Sequence, residues 1–251
     1  MKAADVALGP DEVHVLLARF DAVSESGLQA CRQLLSPEER EREARFVFDR
    51  DRRQFAIAHA LVRTTLSRYA PTVSPAAWRF RAGSHGKPEI EGDAPPLRFN
   101  LSHCDGLAAC AVTRSWDVGV DVENVERPVT PSLLRRSFAP AEAEHLARLE
   151  ALQPPEPLLL RDHFFALWTL KEAYIKARGL GLALPLNGFA FTLEPLAVAF
   201  EASDRDDRDD ASLWHFERRS PTPRHVLALA VKRPSGAAVR VSYQTARLGG
   251  D

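Results

Sequence analysis

An α+β fold in two comparable halves is what this sequence predicts, from three observations. After one opening strand, helical patterning precedes strand patterning within residues 1–125, a helix-to-strand order restarts within residues 126–251 beyond Pro128, and 251 residues that are 45% hydrophobic can bury a sizeable core. Apolar alternation over residues 13–20 opens the first half as a strand. Ser36-Pro37-Glu38-Glu39 then starts a helix, with Ser36 as N-cap, Pro37 at the first helical position and Glu39 at the third. A longer helix follows over residues 51–69, with Phe55, Ala58, Leu61, Val62 and Leu66 on its apolar stripe. Residues 78–82, 97–101, 107–113 and 118–123 read as strands, the first two separated by a loop rich in Gly and Pro.

The second half repeats this order. Residues 131–136 read as a short helix, and Pro140 opens another that runs to residue 152 before the breaker Gln153-Pro154-Pro155-Glu156-Pro157. Residues 161–178 form a helix stopped by Gly179, which stands where a C-terminal glycine cap is needed. Residues 189–193, 197–201, 213–218, 226–232 and 239–243 are strands. No residue-level repeat relates the halves; only the order of elements does.

Composition excludes several classes of partner. Thirty-three basic against 34 acidic residues leave no global field for nucleic acid or an anionic membrane, so any polyanion must be met by a local pocket. Cys31, Cys104 and Cys110 are odd in number and lack zinc or redox spacing, which predicts reduced thiols in a cytoplasmic protein. The N-terminal stretch has no cleavable apolar region, and no apolar run is long enough to span a bilayer.

The chemistry concentrates in residues 168–182, WTLKEAYIKARGLGL, where Trp168, Glu172 and Lys176 share one helical ridge. An ordinary surface ion pair between Glu172 and Lys176 is one reading of that spacing. Upstream, Asp121 and Glu123 lie two apart in an apolar, β-branched strand and point to one face. Three carboxylates meeting at one point need a cation, and oxygen-only ligands suit a hard one. Mg²⁺ takes its remaining ligands from water and substrate phosphates. The alternative leaves Asp121 and Glu123 in water on an edge strand. Lys87, in the turn Gly86-Lys87-Pro88, and Ser102 and His103, at a strand tip, are candidate phosphate contacts; each alone also reads as a turn former or a solvated side chain.

GKP (86–88), FNLSH (99–103), GVDVE (119–123) and WTLKEAYIKARGLGLALPL (168–186), in this order and at these separations, resemble the 4′-phosphopantetheinyl transferases of the long, surfactin-synthetase-activating type. SPEERERE, RFVF and DRRQF through AHALVR (36–63) look like that family's N-terminal helix pair, which extends the resemblance over residues 10–245. The resemblance implies an α+β fold of two similar α/β subdomains, 1–125 and 126–251, in a pseudo-twofold arrangement like a fused dimer, with the active site in the cleft between them. It implies transfer of the phosphopantetheine arm of coenzyme A to a serine of an apo acyl or peptidyl carrier protein, with release of adenosine 3′,5′-bisphosphate. Asp121, Glu123 and Glu172 would ligate Mg²⁺, or Mn²⁺, on the pyrophosphate, and Lys176 would sit over the phosphates. Lys87, Ser102 and His103 would hold the coenzyme's phosphates, His103 near the 3′-phosphate. Asp121, Glu172 and Lys176 would carry catalysis, Glu172 also being the candidate to accept the serine proton. A cytoplasmic monomer with no nucleic-acid or membrane partner is expected.

The helix pair departs from the family pattern, because its charges alternate in sign and Gln54 stands where a basic residue is expected; Arg53 and Arg42 are the substitutes for the 3′-phosphate contact. Asp204-Arg205-Asp206-Asp207-Arg208-Asp209-Asp210 lacks the glycine and terminal Glu of a calcium loop and reads as a solvated hairpin loop. Trp168 and Tyr174 read as core rather than as an adenine platform. Gly179-Leu180-Gly181-Leu182-Ala183-Leu184 serves either as an apolar lip for the carrier or as packing between the halves. Rival functions with the same carboxylates are a Mg²⁺-dependent phosphohydrolase of coenzyme A or a related pyrophosphate, and a non-catalytic carrier-binding scaffold.

Overall fold

Two sheets stand back to back with one long helix on each outer face, in a computed structural model that describes residues 7–92, 95–129, 137–200 and 209–249. The first sheet has the order β11-β1-β5-β4, from β1 (Glu12–Arg19), β4 (Arg98–Cys104), β5 (Leu107–Thr113) and β11 (Arg240–Thr245). The second has the order β6-β10-β9, from β6 (Asp117–Asn124), β9 (Trp214–Thr222) and β10 (His225–Lys232). Two hairpins complete the strands, β2 (Phe80–Ala82) with β3 (Pro88–Ile90) and β7 (Phe189–Leu193) with β8 (Leu196–Phe200). The helices are α1 (Glu25–Leu34), α2 (Pro37–Ala44), α3 (Asp49–Tyr69), α4 (Pro140–Glu150) and α5 (Pro157–Arg178).

Strand alternation sorts side chains into three cores. Leu16, Ala18, Ala108, Cys110 and Val112 face α3, whereas their neighbours Val13, Val15, Leu107, Ala109 and Ala111 turn inward onto Val118, Val120, Val122, Leu227, Leu229 and Val231 of the second sheet. Ala228 and Ala230 face α5 on the far side. Burial on both faces explains why β5 and β10 read as nearly continuous apolar runs.

Both helix ends read from sequence hold. Ser36 and Glu39 form a reciprocal capping box at α2, and Gly179 ends α5 in the left-handed region with its N–H on the Ile175 carbonyl. Four expectations change. Helix α1, capped by Ser24, lies in a stretch given no element, and β3 is likewise new. Pro157, assigned to a breaker, is the first residue of α5. Residues 102–103, expected at a strand tip, lie within β4, which runs on to Cys104. The expected short helix over residues 131–136 lies outside the described residues.

The strands do not respect a division at residue 125. β6, from the first half of the chain, pairs antiparallel with β10, while β11, from the far C-terminal end, pairs parallel with β1. Free Cys31 and Cys110 are buried and Cys104 is half-buried. Among the described residues no helix is long and apolar enough to cross a membrane.

Candidate active site

The site forms where β4, the edge of one sheet, meets β6, the edge of the other. An edge strand leaves every second N–H unpaired, and here side chains of β4 cover them. The Asn100 side-chain oxygen accepts from the Val120 N–H at 2.8 Å, and Ser102 Oγ accepts from the Val122 N–H at 3.2 Å. Covering that edge carries Ser102 against Asp121, whose Oδ1 accepts its hydroxyl at 2.9 Å. On the face of β6 that Asp121 shares, α5 approaches so closely that a Cβ on Gly119 would overlap the Ala173 carbonyl and the Ala177 amide. The glycine of GVDVE thus sets the distance between the two carboxylate-bearing elements.

Lys176 does not pair with Glu172 one turn away. Its ammonium spans to Asp121 Oδ1 at 2.6 Å and Ser102 Oγ at 2.9 Å, so the ordinary i,i+4 pair is not what this spacing makes. Asp121 Oδ2 is buried without a hydrogen-bond partner. Glu123 Oε1 accepts from the Trp168 indole at 3.0 Å and pairs with Arg127 at 3.2 Å, while Glu172 makes no hydrogen bond or ion pair among the described residues. Burial first, and then the Asp121 charge, raise the carboxyls of both Glu123 and Glu172 above the usual range. Acids raised by burial and mutual repulsion, beside an unsatisfied buried oxygen, are a donor set short of positive charge. As they stand, no three such side chains among the described residues are spaced as a closed metal cage.

A groove runs past Lys176 in both directions. One end, about 320 Å³, is lined by Arg42, His59, His103 and Lys176. The other, about 540 Å³, is lined by Glu172, Lys176, Ile175, Leu184 and Leu186. His103 faces the basic end, and burial together with the charges of His59, Lys176 and Arg42 lowers its basicity. Arg42 lies over the Phe55 ring at 5.6 Å. The Gly179–Leu184 segment, read either as lip or as packing, supplies Gly179, Gly181 and Leu184 to the apolar end.

Three of the phosphate candidates are engaged elsewhere. The Lys87 ammonium donates to the carbonyls of Val118 at 3.1 Å and Ala177 at 3.0 Å, tying β6 to the end of α5, and burial lowers it to about 8. Ser102 uses its one donor and both acceptor positions on Asp121, Val122 and Lys176. Arg53 pairs with Glu25 at 3.2 Å and donates to the Val23 carbonyl, and it does not line the groove. Gln54 donates to Asp105 at 3.0 Å.

Comparison with known proteins gives these motifs their context. The sequence pattern of the 4′-phosphopantetheinyl transferase superfamily matches residues 117–230, and that of the 4′-phosphopantetheinyl transferase N-terminal region matches residues 22–115. The chain is 35% identical over 235 residues to 4′-phosphopantetheinyl transferase HetI of Nostoc sp., covering 92% of either protein. It belongs to the 4′-phosphopantetheinyl transferase family. Relatives within that family include 4′-phosphopantetheinyl transferase Sfp of Bacillus subtilis, 33% identical over 63% of this chain and 66% of Sfp. L-aminoadipate-semialdehyde dehydrogenase-phosphopantetheinyl transferase of Mus musculus is 28% identical over 84% of this chain and 71% of its own.

In this phosphopantetheinyl transferase, four groove or site residues escaped sequence reasoning. His59 stacks on Phe55 at 4.0 Å and gives Nδ1 to Glu39 at 2.8 Å, presenting its other edge beside Arg42 and His103; an i,i+4 aromatic–histidine pair was the available signal. Asn100 and Arg127 carried none. Trp168, assigned to the core, does pack on Phe164, but its indole N–H also serves Glu123. Tyr174 is core as expected. Asp209 corrects the solvated-loop reading: its side chain is buried and accepts from Tyr174, Arg178 and Lys232, while residues 204–208 of that loop lie outside the described residues.

Proposed function

We propose that the chain transfers the 4′-phosphopantetheine group of coenzyme A to a serine of an apo acyl or peptidyl carrier protein, releasing adenosine 3′,5′-bisphosphate. The observation that carries this reading is the order of groups along the groove, with Arg42, His59 and His103 at the basic end, Lys176 at the centre bound to the buried Asp121, and Glu172 leading into the apolar end at Ile175, Leu184 and Leu186. Coenzyme A has that order too: a phosphorylated nucleoside, a pyrophosphate and a largely uncharged arm. Its nucleotide phosphate suits Arg42 and His103, with His59 added, and its arm suits the apolar end.

The three carboxylates fit a hard divalent cation, Mg²⁺ or Mn²⁺, because Asp121 Oδ2 is orphaned and Glu123 and Glu172 are raised by burial and by the Asp121 charge, both of which a cation would offset. When bound, such a cation supplies charge neutralisation at the pyrophosphate. The protein's share is positioning. Trp168 and Arg127 hold one oxygen of Glu123 and leave the other for a ligand, and Ser102 fixes Asp121. Lys176 stands between the two ends of the groove, where its ammonium meets charge developing on the transferred phosphoryl group. Glu172, free of other partners among the described residues and raised toward the working range of a base, takes the serine proton as the hydroxyl oxygen attacks phosphorus and the pyrophosphate bond breaks.

The protein acts as a monomer in this reading, and three free thiols favour the reducing cytoplasm. A pseudo-twofold relation between the halves is supported by α3 and α5 covering the outer faces of the two sheets. Incubating the protein with coenzyme A, Mg²⁺ and an apo carrier, then weighing the intact carrier, tests the reading. A mass gain of one phosphopantetheine is expected. An unmodified carrier, with another transferase succeeding in parallel, overturns it, and bisphosphate release without any carrier would point to hydrolysis instead.

A further inference from the structure

A separate pocket of about 430 Å³ lies between the N-terminal half of α5 and the end of the β9–β10 hairpin. Three arginines line it, Arg161 from α5 and Arg218 and Arg219 from β9, and only Arg219 has a carboxylate partner among the described residues, Glu217. On β9, Trp214 and Phe216 face α5, with rings 4.8 and 6.4 Å from Tyr174, and Arg218 is the next residue on that face. Arg161 enters from α5, and its Nε is buried with no hydrogen-bond partner. Neither guanidinium forms an ion pair among the described residues, whereas the neighbouring Arg219 and Arg224 pair with Glu217 and Glu126. Asp162 lines the same pocket without closing on either arginine.

Arg218 is exposed at the pocket mouth and Arg161 lies deeper; neither guanidinium has a carboxylate partner among the described residues, and the buried Arg161 Nε donor without an acceptor is unfavourable on its own. One ligand resolves both. A tetrahedral oxyanion accepts the planar fork of each arginine, and the Ser220 hydroxyl on the pocket wall offers a further donor. Leu158, 62% exposed at the rim, and Pro223 leave room for an organic substituent on that anion. We propose that this pocket is a second, phosphate-class oxyanion site, which would take a free phosphate or a phosphate monoester. It is distinct from the groove: Arg161 precedes Glu172 by eleven residues on one helix, about 16 Å along its axis. The proposal does not depend on the transfer reaction.

Calorimetric titration with inorganic phosphate tests it on the full chain and on R161Q, R218Q and R42Q, the last removing a cation from the groove. The expected result is a phosphate site weakened about tenfold or more in R161Q and in R218Q, and unchanged in R42Q. R161K, which keeps the charge and loses the fork, retains part of the affinity and guards against a folding artefact. Competition by adenosine monophosphate at this site would identify an ester as ligand, and its failure to compete a free anion; both support the site. Equal phosphate affinity in all the proteins, or a loss confined to R42Q, overturns the proposal and leaves an adventitious ion only.

Discussion

Glu172 is the acid least constrained by the protein, and Asp121 the most. Asp121 is gripped through one oxygen by Ser102 and Lys176, whereas Glu172 has no partner among the described residues and a raised carboxyl. Replacing Glu172 by Gln keeps the shape and removes the charge, so kcat should fall by about 10²–10⁴ with little change in the coenzyme A KM, measured by steady-state carrier modification. An unchanged kcat at saturating Mg²⁺ would remove Glu172 from both metal binding and proton transfer. Ser102 should behave differently. Its hydroxyl holds Asp121, the Val122 N–H and Lys176 at once, so Ser102→Ala should weaken Mg²⁺ binding by about 10–100-fold. Calorimetric Mg²⁺ titration of the variant checks this, with coenzyme A affinity as the control.

At the scale of elements, α5 is fastened on both sides. Lys171 is fully buried, and its ammonium donates to Glu142 Oε2 at 2.7 Å and to the carbonyls of Leu186 and Phe189 at 2.6 Å each. Glu142 in turn accepts from the Ala139 and Phe191 N–H groups, which joins α4, α5 and the start of β7. Removing one member leaves the other charge buried and alone, so Lys171→Met should lower stability by about 3–5 kcal/mol, read from urea unfolding. At the other pole, Glu39 binds the Ser36 N–H, His59 and Arg63, and these partners outweigh burial to hold its carboxyl at about 2, below its ordinary 4.5. A carboxyl lowered in the folded state stabilises fully above its unfolded value and loses that contribution as pH falls from 4.5 toward 2. Melting temperatures followed through this window should drop more steeply for the native protein than for E39Q.

The whole molecule is laced across its midpoint. β6 leaves the first half to join the second sheet, β11 returns from the C-terminal end to the first, and Val13, Val118 and Leu229 share the core between them. Unfolding of the halves should therefore be coupled, giving one calorimetric transition; two resolved peaks would contradict the coupling. Coenzyme A with Mg²⁺ at 100 times its dissociation constant should raise the stability of that single unit by about 2.7 kcal/mol.

Much of this was legible in the chain, because the signals were local. Ser36 with Glu39 and Gly179 announce helix ends through single side chains and a single backbone conformation, and the residue pairs 121/123 and 172/176 place charges on faces fixed by strand and helix periodicity. Long-range geometry decided the rest. Which acid Lys176 meets depends on how near α5 comes to β6, and Gly119 sets that approach through an overlap visible only once the elements pack. Ser102, His103 and Arg53 have similar standing as phosphate candidates in the sequence, yet one is saturated inside the protein, one borders the groove, and one is spent on a loop carbonyl and Glu25. Periodicity tells which face a side chain occupies; what stands opposite that face is set by residues 19 to 120 positions away, as in the bonds from Ser102 to Asp121 and from His225 to Asp105. The sequence by itself determined the chemistry on offer, and tertiary packing decided which of those groups remain free to use it.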